Sequence, residues 1–436
     1  MLPSRQQVDR PTQAGSTEAG LVPRLRLPAM VGVTALAFAI GVSINVLEPA
    51  VLSHKILRFA PDWKNTALGL ATLTGLVVAA LVQPIVGARS DRTRSRWGRR
   101  VPYLVIGGLL VMLAHFGIVL APSLSLVIVG LLGLQLASNT LQGPWQALIP
   151  DRVPYHQRGF ASGLKASFEV IGFVVGRYAG GELVADGNLV GAASVASGAL
   201  ALALLITLLL TPSISNQDQP GAARRTLPWW MAFRVRWRQR PAFALWFLNR
   251  FLFWGAVITI NTFVLFYLMD VHRLPEPGAQ RIVGQLGVVL GLAVLLVALP
   301  AGWVADRVGR RPIVVLACLL AAGGVIVLLG LRTPTGVTLA GALLGIATGV
   351  FLSGSWALVT DLVPSAQAAR YLGVANVASA GGSALARAGG GLLIDPINQW
   401  AGSPSAGYTV VFGLACLALL VSAGVMLRLR LPTESA

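Results

Sequence analysis

GARSDRTRSRWGRRVP, residues 87–102, returns in shortened form as GWVADRVGRRP at 302–312. A second pair follows: WQALIPDRVPYHQRGFASGL at 145–164 matches WALVTDLVPSAQAARYLGVA at 356–375, with Asp151, Pro154 and Gly163 opposite Asp361, Pro364 and Gly373. Polar punctuation repeated at this separation means that the chain is built twice on one plan.

Almost everything between these stretches is apolar. Of the 436 residues 55% are hydrophobic and only 11% charged, with a mean hydropathy of +0.73; a soluble domain carries about 25% charge. The expectation is an all-α integral membrane protein. Apolar stretches of ~20 residues, the length that crosses a bilayer, fall at 29–52, 67–88, 103–121, 124–149, 160–183, 188–210, 242–269, 282–302, 313–331, 336–359, 371–394 and 408–427. The first exceeds the ~7–15 residues of a cleaved leader core and is expected to stay as a transmembrane helix. The long polar interruption at 211–241 divides these twelve spans into a bundle at 29–210 and a bundle at 242–427, with tails at 1–28 and 428–436. Two halves of like topology imply a pseudo-two-fold axis along the membrane normal and a site between them open alternately to each side.

The net charge of +18 would elsewhere suggest nucleic acid. Here the arginines sit in short runs between spans, and most fall on the side that carries both tails, so the positive-inside rule predicts cytoplasmic termini and no nucleic-acid partner. Within the linker Trp229, Trp230, Phe233 and Trp237 alternate with Arg234, Arg236, Arg238 and Arg240. That alternation suits a segment lying among lipid headgroups, a regulatory element being the alternative. Cys318 and Cys416 fall inside spans and read as core thiols without a disulfide. The four histidines form no metal motif, and HExxH, GxSxG and Walker-type phosphate loops are absent, so an enzyme or an ATP-driven pump is unsupported. No catalytic residue, resident metal or cofactor is expected. The partners expected are a small-molecule substrate and the lipid bilayer.

The shorter copy resembles the GxxxDRxGRR loop between helices 8 and 9 of the major facilitator superfamily. The longer copy, in which TRSRW separates Asp91-Arg92 from Gly98-Arg99-Arg100, resembles the loop between helices 2 and 3 of glycoside-pentoside-hexuronide:cation symporters and the related sucrose/proton symporters. The resemblance implies the twelve-helix fold, monomeric function and a cytoplasmic latch that holds the outward-facing state, formed by Asp91, Arg92, Arg99, Arg100, Asp306, Arg307, Arg310 and Arg311. Chemistry allows this role independently, because carboxylates beside guanidinium groups can pair with them or cap a neighbouring helix; plain topogenic charge is the alternative. Asp151 and Asp361, each near a Val-Pro, are read either as members of the same gate or as helix stops.

Charges inside spans are costly and point more directly to function. Glu48 follows Asn45 by three residues and precedes Pro49, which interrupts the helical ladder; it could carry a coupling proton, bind a cation or meet a substrate hydroxyl. In helix 5, Lys165, Glu169, Arg177, Gly172, Gly176 and Gly180 share one face at ~100° per residue. Glycine stripes pack against protein, and the i,i+4 spacing lets Lys165 neutralise Glu169. In the second half Asn249, Arg250, Asn261 and Arg387 lie within spans that hold no carboxylate, so the arginines are candidates to bind substrate oxygens or to pair with Glu48 or Glu169. Helix 4 adds Gln135, Asn139, Gln142, Trp145 and Gln146. Amides meet sugar hydroxyls as donor and acceptor, with interhelical packing as the alternative, chiefly for Gln135 and Trp145. The symporters of the resembled family carry acids in helix 2 or 4; this sequence has only Gln83 and the helix 4 amides there. Glu48 and Glu169 are therefore the available proton carriers, with His115 third. Gly341, Gly345 and Gly349 are assigned to packing.

The expected function is proton-coupled uptake of a sugar or glycoside-like solute by alternating access, with sodium as the alternative ion. A proton antiporter exporting drugs or hydrophobic metabolites is the alternative transporter, and a membrane sensor or scaffold the alternative of another class.

Overall fold

The computed structural model of the protein describes residues 24–211, 237, 240–331, 333–362 and 368–429. Among these residues there is no strand, and twelve long helices carry the fold. The first six are α1 (Leu27–Phe59) and α4 (Leu124–Arg152), with α2 (Lys64–Arg92), α3 (Val101–Leu120), α5 (Arg158–Ala185) and α6 (Leu189–Leu210). The second six are α7 (Pro241–Val271), α8 (Glu276–Val308), α9 (Arg310–Gly330), α10 (Pro334–Leu362), α11 (Ala368–Ala401) and α12 (Ala406–Leu427).

Eleven of these are long and apolar enough to cross a membrane. The exception, α11, is rich in Gly, Ala and Ser and carries Arg387 and Asp395. Such a helix is built to face protein rather than lipid. It packs against α2 of the other half, as α5 packs against α8; inside each half the pairings repeat, α1 with α5 and α6, α3 with α4 and α6, and correspondingly α7 with α11 and α12, α9 with α10 and α12. Large apolar side chains such as Leu113, Leu209, Leu296 and Leu299 point outward, as a hydrocarbon solvent requires.

Local chemistry explains several boundaries. The repeated glycine of the Gly-Arg-Arg motif turns the chain in the left-handed region at both copies, Gly98 with φ 90° and Gly309 with φ 101°, a conformation only glycine adopts freely. Asn188 caps α6 through the Gly191 N–H at 2.8 Å. In α1 the stretch Leu47–Leu52, around Pro49, is wound as a π-helix, a wide turn consistent with a proline that cannot supply its ladder donor.

Several helices outrun their predicted spans. α1 ends at Phe59 rather than 52, α7 at Val271 rather than 269, and α11 at Ala401 rather than 394. The drop in hydropathy set the predicted ends, whereas the hydrogen-bond ladder continues into polar residues. Cys318 and Cys416 are free thiols. His115 is buried in the first half between Ser43 (2.7 Å) and Ser197 (3.0 Å). Gly172 and Gly176 lie against the α1 carbonyls of Phe38 and Val42, and Gly341, Gly345 and Gly349 lie against α8. Of the linker's basic and aromatic residues, Trp229, Trp230, Phe233, Arg234, Arg236 and Arg238 lie outside the described residues. Trp237 stacks near Phe243 and Phe247 at 5.8 and 5.1 Å.

Candidate functional site

A cavity of about 340 Å³ lies between the halves, bounded by α1, α2 and α5 on one side and α7, α8, α10 and α11 on the other. That is the size range of small-molecule sites. Its walls are largely apolar, with Phe173, Val257, Leu290 and Trp254 among them, and its polar groups are few and charged: Asn45, Glu48, Thr72, Glu169, Arg177, Asn261, Thr262, Thr348 and Arg387. A second, more open space of about 390 Å³ shares Thr72, Trp254, Ile258 and Arg387 with it and adds Arg250, Asn376, Ser379 and Ser383.

Of the eleven sequence-predicted cavity residues, the structure brings Asn45, Glu48, Glu169, Arg177, Asn261 and Arg387 to the main cavity. Glu48 Oε2 accepts from Arg387 Nη1 at 3.2 Å across the two halves. Lys165 pairs with Glu169 at 3.0 Å and stands 5.2 Å from the Trp145 ring, but does not line the cavity. Arg250 borders the second space, bonded to Ser379 (2.7 Å) and Ser355 (3.3 Å) with its guanidinium 4.4 Å from the Trp356 ring.

The remaining amides are placed elsewhere. Asn249 is buried in the second half, donating to Ser422 Oγ at 2.8 Å. Asn139 donates to the Gln135 carbonyl and Gln142 to Ser138 Oγ, both within α4, and neither borders the cavities described. An amide one turn from an acceptor on its own helix is satisfied locally. Trp145 likewise serves packing, with its indole N–H on the Val33 carbonyl at 2.9 Å.

Residues of the predicted latch make their described contacts within one half. Arg100 is buried and binds Asp91 at 2.6 Å, Asp151 at 3.1 Å and Ser90 Oγ at 2.6 Å, while Arg99 reaches Asp151 at 2.8 Å. In the second copy Asp306 stands 3.9 Å from Arg310, Arg310 donates to the Ala357 carbonyl, Arg311 donates to the Met426 and Leu427 carbonyls, and Arg307 lies over Trp303. Arg92 is exposed, and the side chain of Asp361 lies outside the described residues.

Contacts between the halves lie instead at the opposite, far side from the chain ends. His54 pairs with Glu276 at 2.7 Å, Lys64 with Asp270 at 2.5 Å, and Arg281 with Asp186 at 2.6 Å and Glu182 at 3.3 Å. Asp395 accepts the Asn65 amide at 2.7 Å and the Thr66 backbone N–H at 2.8 Å, and the buried Tyr408 hydroxyl bridges Asn65 and Asp270. Beneath these bonds glycines allow close approach. A Cβ on Gly181 would stand 2.9 Å from Gly284 Cα, and one on Gly69 would stand 3.1 Å from Gly391 Cα. The cavity is thus sealed on the far side, while among the described residues no ion pair joins the halves on the side of the termini. Sequence reasoning missed this seal because Asp270 and Asp395 each lie one residue past a predicted span end.

A two-fold bundle of membrane helices around a central charged cavity, gated on one side, defines a membrane transport protein rather than an enzyme. The family model for the Major Facilitator Superfamily matches residues 29–386 and 278–436, and the chain belongs to that superfamily as a multi-pass membrane protein. Among curated relatives it is 29% identical over 232 residues to sucrose transport protein SUT1 of Oryza sativa subsp. japonica, covering 44% of this chain and 41% of the relative. It is 31% identical over 130 residues to sucrose transport protein SUC3 of Arabidopsis thaliana, covering 25% and 22%. The chain therefore spans about two fifths of the curated relatives it matches, or less. Solved structures of similar fold include the nucleoside transporter NupG, with a TM-score of 0.69, 15% identity, and 92% of this chain and 98% of that one covered. Another is a bacterial homologue of the human lysosomal transporter Spinster in an inward-facing, unoccupied conformation, with a TM-score of 0.63, 16% identity, and 92% and 95% covered.

Proposed function

We propose that this protein is a secondary active transporter that takes up a small, polar, sugar- or glycoside-like solute with a coupling proton, by rocking its two halves about the central cavity. The observation that carries this reading is the one-sided seal: a solute-sized cavity with charged groups, closed on the far side by bonds between halves, with no ion pair between halves on the other side among the described residues. With cytoplasmic termini, the side the positive-inside rule favours, this reads as an inward-open arrangement, as in the Spinster homologue. The sucrose transport proteins among the relatives support a sugar-type solute. Asn45, Thr72, Asn261 and Thr262 offer donors and acceptors for hydroxyls, and Trp254 a face for an apolar ring side.

Glu48 is the proposed proton carrier. It faces the cavity and holds Arg387 of the other half, so that protonation would loosen a bond between halves. A second reading, export of an amphiphilic compound, draws on the largely apolar walls. The test is the pH change outside lightly buffered vesicles containing the purified protein. Alkalinisation on adding one class of sugar or polyol supports proton-coupled uptake; silence with sugars and a response to lipophilic compounds supports export.

A further inference from the structure

The two cavity arginines are mates under the internal repeat. A Cβ on Gly172 would collide with the Phe38 carbonyl, and a Cβ on Gly382 with the Phe251 carbonyl, so α5 meets α1 as α11 meets α7. Arg177 lies five residues beyond Gly172, and Arg387 five beyond Gly382. Carried the same way along the partner helices, ten residues beyond Phe38 is Glu48 and ten beyond Phe251 is Asn261. One pair, Glu48 with Arg387, is complete at 3.2 Å. Its mate has an amide where the acid would stand.

Arg177 is accordingly the cation of the site with no acid bonded to it: Glu48 lies near enough to attract it but is held by Arg387. Its side chain is 6% exposed, it borders the cavity together with Asn261, and its Nε and Nη1 have no hydrogen-bond partner. The other cavity acids are engaged: Glu48 with Arg387, Glu169 with Lys165. The position is also built for it, since Gly287 of the other half clears the space its stem occupies; a Cβ there would stand 2.5 Å from Arg177 Cβ and Cγ. Two buried guanidinium groups that share one carboxylate are left under-neutralised, which is disfavoured, and the planar fork of Arg177 is matched to a carboxylate or similar oxyanion.

We infer that the solute itself carries an anionic group, of carboxylate type, that docks on Arg177 and completes the second ion pair of the repeat. This deepens the transporter reading above and rests on it.

Thermal unfolding of the purified full chain tests this with matched probes at fixed ionic strength: gluconate against sorbitol, lactobionate against lactitol, and acetate against chloride. The expected result is a saturable upward shift with the acid of at least one pair and a smaller shift or none with its neutral or halide mate. Arg177→Gln should weaken apparent affinity for that acid by about tenfold or more. Asn261→Glu, which supplies the missing acid from within, should abolish the acid's shift while the variant still unfolds cooperatively. A polyol that stabilises as well as its acid, or an acid shift that survives Arg177→Gln, overturns the inference and leaves the transporter reading standing. No shift with any probe overturns both.

Discussion

The carboxylate of Asp395 on α11 accepts the backbone N–H of Thr66 at 2.8 Å, so an acid from the second half caps the first turn of α2 in the first. The opening N–H groups of a helix have no partner within it, and an anion there also meets the positive end of the helix dipole. The cap exists only while the far side is shut.

Asp395→Ala should therefore favour the far-side-open state by about 1–2 kcal/mol, the worth of a helix cap. Spin labels at the exposed positions Asp62 and Ala401, on a cysteine-free background, should show a longer distance population by pulsed electron resonance. An unchanged distribution would mean that the seal rests on its other ion pairs.

Glu48→Gln keeps the shape of the side chain and removes its charge and its proton. Uphill accumulation should be abolished while solute exchange down its own gradient persists. Intact accumulation in this variant would remove Glu48 from the coupling path.

Gly287→Ala places a methyl group in the space held by the Arg177 stem. Overpacking at such a contact costs about 1–3 kcal/mol, and the expected readouts are a lower unfolding temperature and weakened solute binding together. Normal stability and binding would show that α5 and α8 are free to part at this level.

The two copies of the Gly-Arg-Arg loop should respond differently to mutation. Arg100 is buried and bonded to Ser90, Asp91 and Asp151, so Arg100→Ala is expected to destabilise by about 1–3 kcal/mol. Asp306 is exposed and 3.9 Å from Arg310, so Asp306→Asn should cost less than about 0.5 kcal/mol in this conformation. Comparing the two unfolding temperatures checks the contrast. A large loss with Asp306→Asn would reveal a contact between halves on the side of the termini.

Hydropathy and the repeated loops carried the fold, because lipid imposes a pattern strong enough to read from composition. Local relations were legible too: Lys165 and Glu169 are one helical turn apart, and the turn fixes their pairing. Relations between halves were not. The sequence offered both Arg250 and Arg387 as partners for Glu48 or Glu169; that Arg387 takes Glu48 across the halves, while Arg250 is held by Ser379 and Ser355 of its own half, depends on where α11 and α10 settle, which spacing along the chain does not encode. The amides of α4 misled for the converse reason, since Asn139 and Gln142 find acceptors on their own helix.

The wide π turn at Leu47–Leu52 makes α1 two blades set at different phases on one shaft. The inner blade aims Asn45 at the cavity and the turn itself aims Glu48 there, while the outer blade brings His54 to Glu276 and Lys55 to the Ala121 carbonyl at 3.0 Å. Rewinding that turn as regular α-helix with every residue kept would swing one blade about 100° off its partners relative to the other. Solute recognition and outer closure are thus keyed to each other through a single residue of helical phase.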